Sequence, residues 1–246
     1  MNGAAHSLVI GGTRGLGRAV ARLLQEAGHR VSAIGRRQPE QPEAQVRYWL
    51  RELDDEAGVK AIVAQVLEQS GPLNYVVFCQ RYRGQGDPWT GELNVTLTLT
   101  RTVIETLRTG GWAAGDKGMV MVSSVFGEWI GAGQPAAYHV AKAGLLQLMR
   151  YYAVDLGPQG IRANAVTPFT FLKDESQSFY LANDALMDVY RESVPLGRLA
   201  TADEIARVIR FLCSSEASYL TGQNLHVDGG LSAVWPETLA RRLKGV

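Results

Sequence analysis

Short apolar runs alternate with longer stretches of helical periodicity along this chain, and that alternation leaves few folds open. Leu8-Val9-Ile10 reads as a strand, followed by a glycine loop and a helix over Arg18 to Glu26. Val20, Leu23 and Leu24 share one face of that helix and Gly28 stops it. Val31 to Ile34 is a second strand, Ala57 to Glu68 a helix and Tyr75 to Phe78 a buried strand. Leu93 to Leu107 is helical in length, although its threonines lower the propensity. Gly118 to Val122 is a strand, Tyr138 to Leu156 a long helix and Arg162 to Val166 a strand. Ala202 to Cys213 is a helix and Asn224 to Val227 a last strand. Such a rhythm predicts a parallel sheet buried on both faces: a three-layer, doubly wound α/β fold. No internal repeat or low-complexity linker divides the chain, so a single domain over 1–246 is expected. Gln38 to Gln45 is a polar, proline-containing loop. Phe169 to Val194, aromatic and polar, interrupts the alternation and is expected to form a lid over a site.

The charge balance narrows the partners. Lysine and arginine (25) nearly match aspartate and glutamate (24), the formal net charge is +1, and no long basic block is present. Nucleic acid is therefore not an expected partner. No stretch approaches the roughly 20 apolar residues needed to span a bilayer. Met1 to Ser7 is small and polar, and Leu8 to Gly11 is too short for a signal-peptide core. A cytoplasmic protein without membrane contact is the expectation. Cys79 and Cys213 lie in apolar patterns and read as reduced core residues. His6, His29, His139 and His226 are scattered, and no Cys/His cluster has metal-ligand spacing, so no metal is expected.

The loop after the first strand reads Gly11-Gly12-Thr13-Arg14-Gly15-Leu16-Gly17. Tight turns also need glycine, but a strand before and a helix after favour a dinucleotide site. Backbone N–H groups at such a helix start point at phosphate, and glycines let a pyrophosphate approach. Gly11, Thr13, Arg14, Gly15, Leu16 and Gly17 are the expected contacts. The second strand then ends Ala33-Ile34-Gly35-Arg36-Arg37, without the acid that would hydrogen-bond a ribose 2′-OH and repel a 2′-phosphate. With Arg14, these arginines are either solvated surface charges or a guanidinium cluster for that phosphate. The second reading predicts NADP(H) over NAD(H), with Arg36 contributing most and Arg37 beside it.

Tyr138-x-x-x-Lys142 places a phenol and an ammonium one turn apart on one helix face. A nearby ammonium favours phenolate, which suits a tyrosine to acid/base work. The spacing is common; its context is not. Gly118-Met119-Val120-Met121-Val122-Ser123-Ser124 is a glycine-led apolar strand ending in serines, fourteen residues before Tyr138. With the glycine loop and Asn94 in the preceding helix, the chain here resembles the short-chain dehydrogenase/reductase family, in its branch of about 250 residues, from Leu8 to about Ser232. Gly160-Ile161-Arg162-Ala163-Asn164-Ala165-Val166 and Pro195-Leu196-Gly197-Arg198-Leu199 continue the likeness. Leu220-Thr221-Gly222-Gln223 and Val227-Asp228-Gly229-Gly230 close it. The resemblance implies a Rossmann-like fold and carbonyl/alcohol hydride transfer. It gives Tyr138 the proton donated to a carbonyl oxygen, or taken from an alcohol. It gives Lys142 the nicotinamide ribose hydroxyls, Ser124 the substrate carbonyl, and Asn94 a water linking Lys142 to solvent. Glu52-Leu53 stands where the family has an acid-led pair contacting adenine.

The departures from the family gather around the substrate. Where relatives have Asn-Asn-Ala-Gly after the fourth strand, this chain has Phe78-Cys79-Gln80-Arg81. Cys79 and Gln80 would then line the cofactor, and Arg81 would rearrange the wall beside it. The segment from Arg81 to Asn94 is short for the family, so the first turns of the Asn94 helix are expected to be missing. Arg81 or Arg83, in a loop rich in cations and aromatics, either binds an anionic group on the substrate or is solvated. After the sixth strand, Phe169 replaces the usual glycine and Lys173 the threonine that would hold the carboxamide. Pro168 and Thr170 are the expected contacts there. Trp129 is either a substrate wall or a surface aromatic. The resemblance implies a ketoreductase acting on a 3-oxoacyl-type or related ketone, similar to 3-oxoacyl-(acyl-carrier-protein) reductases. A sugar, polyol or secondary-metabolite enzyme and a non-catalytic NADP-binding regulator stand as alternatives. It also implies a homotetramer or homodimer paired through the two long helices, with Leu231 to Val246 packing across an interface.

Overall fold

The computed structural model describes residues 4–53, 55–173 and 177–245. The chain runs β1 (His6–Ile10), α1 (Gly15–Glu26), β2 (Arg30–Gly35), β3 (Val46–Leu50), α2 (Glu56–Ser70) and β4 (Tyr75–Phe78). Then come α3 (Pro88–Leu93), a π-helical segment (Asn94–Thr98), α4 (Leu99–Arg108), β5 (Lys117–Val122), α5 (Ala136–Asp155) and β6 (Ile161–Pro168). β7 (Phe171–Leu172), α6 (Gln177–Leu181), α7 (Asp184–Ser193), β8 (Ala200–Thr201), α8 (Ala202–Leu212), β9 (Asn224–Val227) and α9 (Pro236–Lys244) complete it. Seven strands form one parallel sheet in the order β3-β2-β1-β4-β5-β6-β9. The order reverses between β1 and β4. Beyond the carboxyl ends of those two strands lies the crevice where open α/β sheets take their ligands.

Period-two alternation within uniformly apolar strands builds both layers of core. Leu8, Ile10, Val76, Phe78, Met119 and Met121 face α2, α4 and α5 through Val63, Ile104 and Met149. Val9, Ala33, Val77, Val120 and Val166 face α1 and α8 through Val20, Leu24, Ile205 and Ile209. Each such fully buried side chain contributes about 1.5–3 kcal/mol. The helix ends carry the expected chemistry. Asp55 caps α2 by accepting from Gly58 N at 2.6 Å, and Thr201 and Glu204 form a capping box on α8.

The structure adds elements the periodicity did not announce. β3 is an edge strand whose sequence, Val-Arg-Tyr-Trp-Leu, mixes buried and exposed positions. The turns before Asn94, expected to be missing, are present as α3. It starts at Pro88, capped by Asp87, whose carboxylate accepts from Trp89 N at 3.3 Å and Thr90 N at 2.9 Å. Proline at the first position and an aspartate cap are standard helix starters, outweighing the glycines around them. No helix among the described residues is long and apolar enough to cross a membrane.

Two polar clusters are buried in this frame. Arg162, its side chain 8% exposed, donates to Asp116 Oδ2 at 3.1 Å and to the Leu212 and Ser214 carbonyls at 2.9 and 3.1 Å. Tyr75 Oη donates to the same Asp116 carboxylate at 2.5 Å. His6 is the second. Its Nδ1 donates to the Gly71 and Pro72 carbonyls at 3.0 and 3.2 Å, and its Nε2 accepts from Ser32 Oγ at 3.0 Å. Burial lowers the pKa of His6, and of His29 likewise. The unfolded chain therefore takes up protons near the ordinary histidine value, about 6.5, before the folded chain does. Folded stability is expected to decline as pH falls below that value. Urea midpoints at pH 7.5 and 5.5 check this; a midpoint that does not fall would contradict it.

Candidate active site

The loop between β1 and α1 turns across the end of β2, because Gly11 N and Gly12 N both donate to Ile34 O, at 2.8 and 3.0 Å. Gly11 has φ +78°, and a Cβ there would lie 2.9 Å from Gln80 N. A Cβ on Gly17 would fall onto the Gly11 carbonyl oxygen. These two glycines hold the loop close against β4 and leave its outer side bare. Arg14, the N-cap of α1, is extended and makes no side-chain cap, and the first turn of α1, which begins at Gly15, holds no acid. The N–H groups that Asp55 and Thr201 satisfy on α2 and α8 therefore remain open on α1, a cradle for a pyrophosphate. The residues present fit a dinucleotide there.

Around that cradle the expected residues divide. Leu16, in the first turn of α1, is buried, and Thr13 packs against Gly35. Arg36 and Arg37 are exposed at the end of β2. Arg36 Nη1 already reaches Glu52 Oε1 at 3.4 Å, while Leu53 packs against the core. Cys79 N donates to Ile10 O at 2.8 Å, extending the sheet pairing past β4. Gln80 Nε2 donates to Thr100 Oγ1 at 2.7 Å and to Val95 O at 3.3 Å, tying β4 to the helix that carries Asn94.

Ser124, Tyr138 and Lys142 lie together where β5 ends and α5 begins. All three are buried, at 8%, 9% and 4% exposure. Lys142 Nζ donates to Val122 O at 2.8 Å and lies 5.7 Å from the centre of the Tyr138 ring. Ser123 Oγ donates to the Lys142 carbonyl at 3.1 Å, so the strand end fixes the α5 backbone. Ser124 Oγ accepts from Phe126 N at 3.2 Å, and its hydroxyl proton stays available to a ligand. Asn94 opens the π-helical segment, and its carbonyl accepts from Leu99 N, five residues on. Such single-turn widenings cluster at functional sites. α3 and the π segment both pack against α5.

The outer wall carries residues that sequence patterns leave open. Arg81 Cζ lies 4.8 Å from the centre of the Tyr138 ring, and Arg81 Nη2 donates to Gln134 Oε1 at 3.1 Å. Arg83 is exposed, in a loop that folds back on its own Tyr82: Gly84 and Gly91 leave room for that ring and for nothing else. Trp129 is 44% exposed and stands 5.6 Å from the His226 ring, while Glu128 accepts from Asn224 Nδ2 at 2.6 Å and contacts His226 Nε2 at 3.0 Å. Phe169 bonds through its N to Val227 O at 3.3 Å and packs edge-on to Tyr190 at 5.8 Å. Pro168 closes β6, Thr170 is half-buried and Lys173 lies over the Phe171 ring. Residues 174–176, inside the expected lid, fall outside the described residues. Sequence reading passed over Gln134 and Glu92. Glu92 is 5% exposed on α3, and the only signal for it was an acid two residues before Asn94. Among the described residues no group of histidine, cysteine and acidic side chains could hold a metal.

Known proteins resemble this chain in sequence and fold. A family described as Enoyl-(Acyl carrier protein) reductase matches residues 10–232. The 3-oxoacyl-(acyl-carrier-protein) reductase FabG of Vibrio harveyi is 30% identical over 243 residues, covering 93% of this chain and 97% of its own. That of Aquifex aeolicus is 30% identical over 249 residues, covering 92% and 96%. Among solved structures, Thermoplasma acidophilum aldohexose dehydrogenase superposes with a TM-score of 0.83 at 25% identity, over 95% of this chain and 96% of that one. A short-chain dehydrogenase from Leptospira borgpetersenii with bound NAD+ shares the fold, with a TM-score of 0.80 at 20% identity over 94% and 93%. With near-complete coverage of both sequence and fold, this chain belongs to the short-chain dehydrogenase/reductase family of oxidoreductases.

Proposed function

We propose that this chain is an NADP(H)-dependent ketoreductase in which Tyr138 is the general acid/base. The observation that carries the reading is the buried set of Tyr138, Lys142 and Ser124 at the β5–α5 junction, beside an uncapped glycine cradle. Bound NADPH supplies the hydride. Ser124 Oγ donates to the substrate carbonyl and orients it. Tyr138 gives its proton to the carbonyl oxygen, and the ammonium of Lys142, one turn along, stabilises the phenolate left behind. Lys142 also takes the ribose hydroxyls, and Asn94, with the widened helix around it, holds the water through which protons exchange with solvent. Gly11, Thr13, Arg14, Gly15 and Gly17 hold the pyrophosphate. Leu16, Cys79, Gln80, Pro168 and Thr170 line the rest of the cofactor, and Glu52 and Leu53 the adenine. The segment 169–194, with its Phe169–Tyr190 contact, is the lid. A 3-oxoacyl-type ketone is the leading substrate, by likeness to FabG. The likeness to aldohexose dehydrogenase keeps a sugar substrate as the second reading. NADPH oxidation followed over a panel of ketones, β-ketoacyl thioesters and keto sugars tests both. NADPH binding without turnover across that panel would defeat them in favour of a regulator.

The cofactor preference rests on Arg36, Arg37 and Arg14. Arg36 stands exposed at the end of β2, its Nη1 3.4 Å from Glu52 Oε1, with guanidinium donors left for a 2′-phosphate. Charge-assisted hydrogen bonds to phosphate are worth about 1.5–3 kcal/mol. Arg36→Ala is expected to weaken NADPH binding about tenfold or more and to leave NADH binding nearly unchanged. Equal changes for the two cofactors, measured by fluorescence titration, would reject the assignment. Two unpaired cysteines accord with a cytoplasmic protein. Tyr151 and Val154 on α5, 58% and 79% exposed, supply an apolar face for pairing into a homodimer or homotetramer. Val154→Glu is expected to lower the mass seen by light scattering; an unchanged mass would move the interface elsewhere.

A further inference from the structure

Arg81 brings a second cation to the tyrosine. It leaves the end of β4, lies 4.8 Å from the centre of the Tyr138 ring and is steadied by Gln134. Lys142 Nζ approaches the same ring at 5.7 Å. Glu92 answers this charge only in part. It is one buried carboxylate, with Oε2 unpartnered among the described residues, and burial raises its pKa against the opposing pull of Arg81, Lys142 and Arg83. The described face around Tyr138 is therefore net positive. A guanidinium has five N–H donors in a planar fork, and Gln134 occupies one. Resting on a ring face leaves donors along its edge for a bidentate acceptor.

We propose that Arg81 anchors a carboxylate of the substrate, and that the chain reduces short oxo acids whose carboxylate stands one or two carbons from the reacting carbonyl. The inference rests on the ketoreductase reading and narrows it. Geometry sets the chain length. The carbonyl oxygen must come within about 2.7 Å of the Tyr138 hydroxyl. Arg81 Cζ lies 4.8 Å from the centre of the ring that bears that hydroxyl, so an anion it binds falls within the span of a short oxo acid from the carbonyl. A phosphate at the far end of a carrier arm would be out of its reach. In the reaction, the hydride adds to the carbonyl carbon and the Tyr138 proton to its oxygen, giving a 2- or 3-hydroxy acid and NADP+. The carboxylate is held and does not react.

The test compares kcat/KM for pyruvate against methyl pyruvate and acetoacetate against methyl acetoacetate, in wild type, Arg81→Met and Arg81→Lys, with NADPH affinity measured alongside. Wild type is expected to favour the acid over its ester by about tenfold to a hundredfold in at least one pair. In Arg81→Met that ratio should collapse toward one, and Arg81→Lys should keep part of it. A wild type that does not favour the acid in either pair overturns the inference. So does Arg81→Met lowering acid and ester by the same factor, or weakening NADPH without changing the ratio, which would make Arg81 a cofactor ligand. Faster turnover of a neutral β-ketoacyl thioester than of either acid overturns it too, while leaving the ketoreductase reading intact. NADPH binding with no ketone reduced defeats both.

Discussion

Tyr138→Phe is expected to lower kcat by about a thousandfold or more while NADPH binds as before. The substitution removes one oxygen and keeps the ring, so the edge contact with Phe126 and the packing under Arg81 persist. What disappears is the proton donor to the carbonyl oxygen. Lys142 cannot replace it, because its Nζ is turned to Val122 O. Single-turnover kinetics separate the effect from binding. A fall in kcat with an unchanged NADPH dissociation constant supports the assignment, and near-normal turnover ends it.

Arg162→Met is expected to destabilise the fold by about 3 kcal/mol or more. Its guanidinium ties the loop before β5 to the end of α8 through Asp116 and the Leu212 and Ser214 carbonyls. Methionine fills much of the volume but takes the guanidinium from the Leu212 carbonyl, leaves the Ser214 carbonyl with Ala217 N at 3.2 Å, and leaves the Asp116 carboxylate with Tyr75. The comparison is Arg241→Ala, which breaks an exposed pair with Glu237 and should hardly move the urea midpoint. Equal midpoints for the two variants would show that the buried guanidinium contributes no more than a surface one.

The parallel strands were legible because burial on both faces demands uninterrupted apolar runs, and β1, β4 and β5 supply them. The Tyr138–Lys142 pair was legible because a helix fixes the relation of residues four apart. β3 was hidden because an edge strand needs no such run, and Arg47 covers Trp49 from outside. α9 was hidden because its face is charged and no residue in it is buried. Partners far apart in sequence were the least accessible. Nothing local joins Arg36 to Glu52, or lays Arg81 across Tyr138 from a segment 57 residues earlier.

The loop that carries Arg81 and Arg83 closes on its own tyrosine. Because Tyr82 fills the space left by Gly84 and Gly91, the loop's shape is set by residues within it and by the Asp87 cap that follows. Outside itself it leans on Gln134 and the Tyr138 ring through Arg81, and on α5 through α3. Such a segment behaves as a cassette. Exchanged whole between β4 and Asn94 of related scaffolds, it can carry a substrate preference with it while the proton-transfer apparatus stays in place.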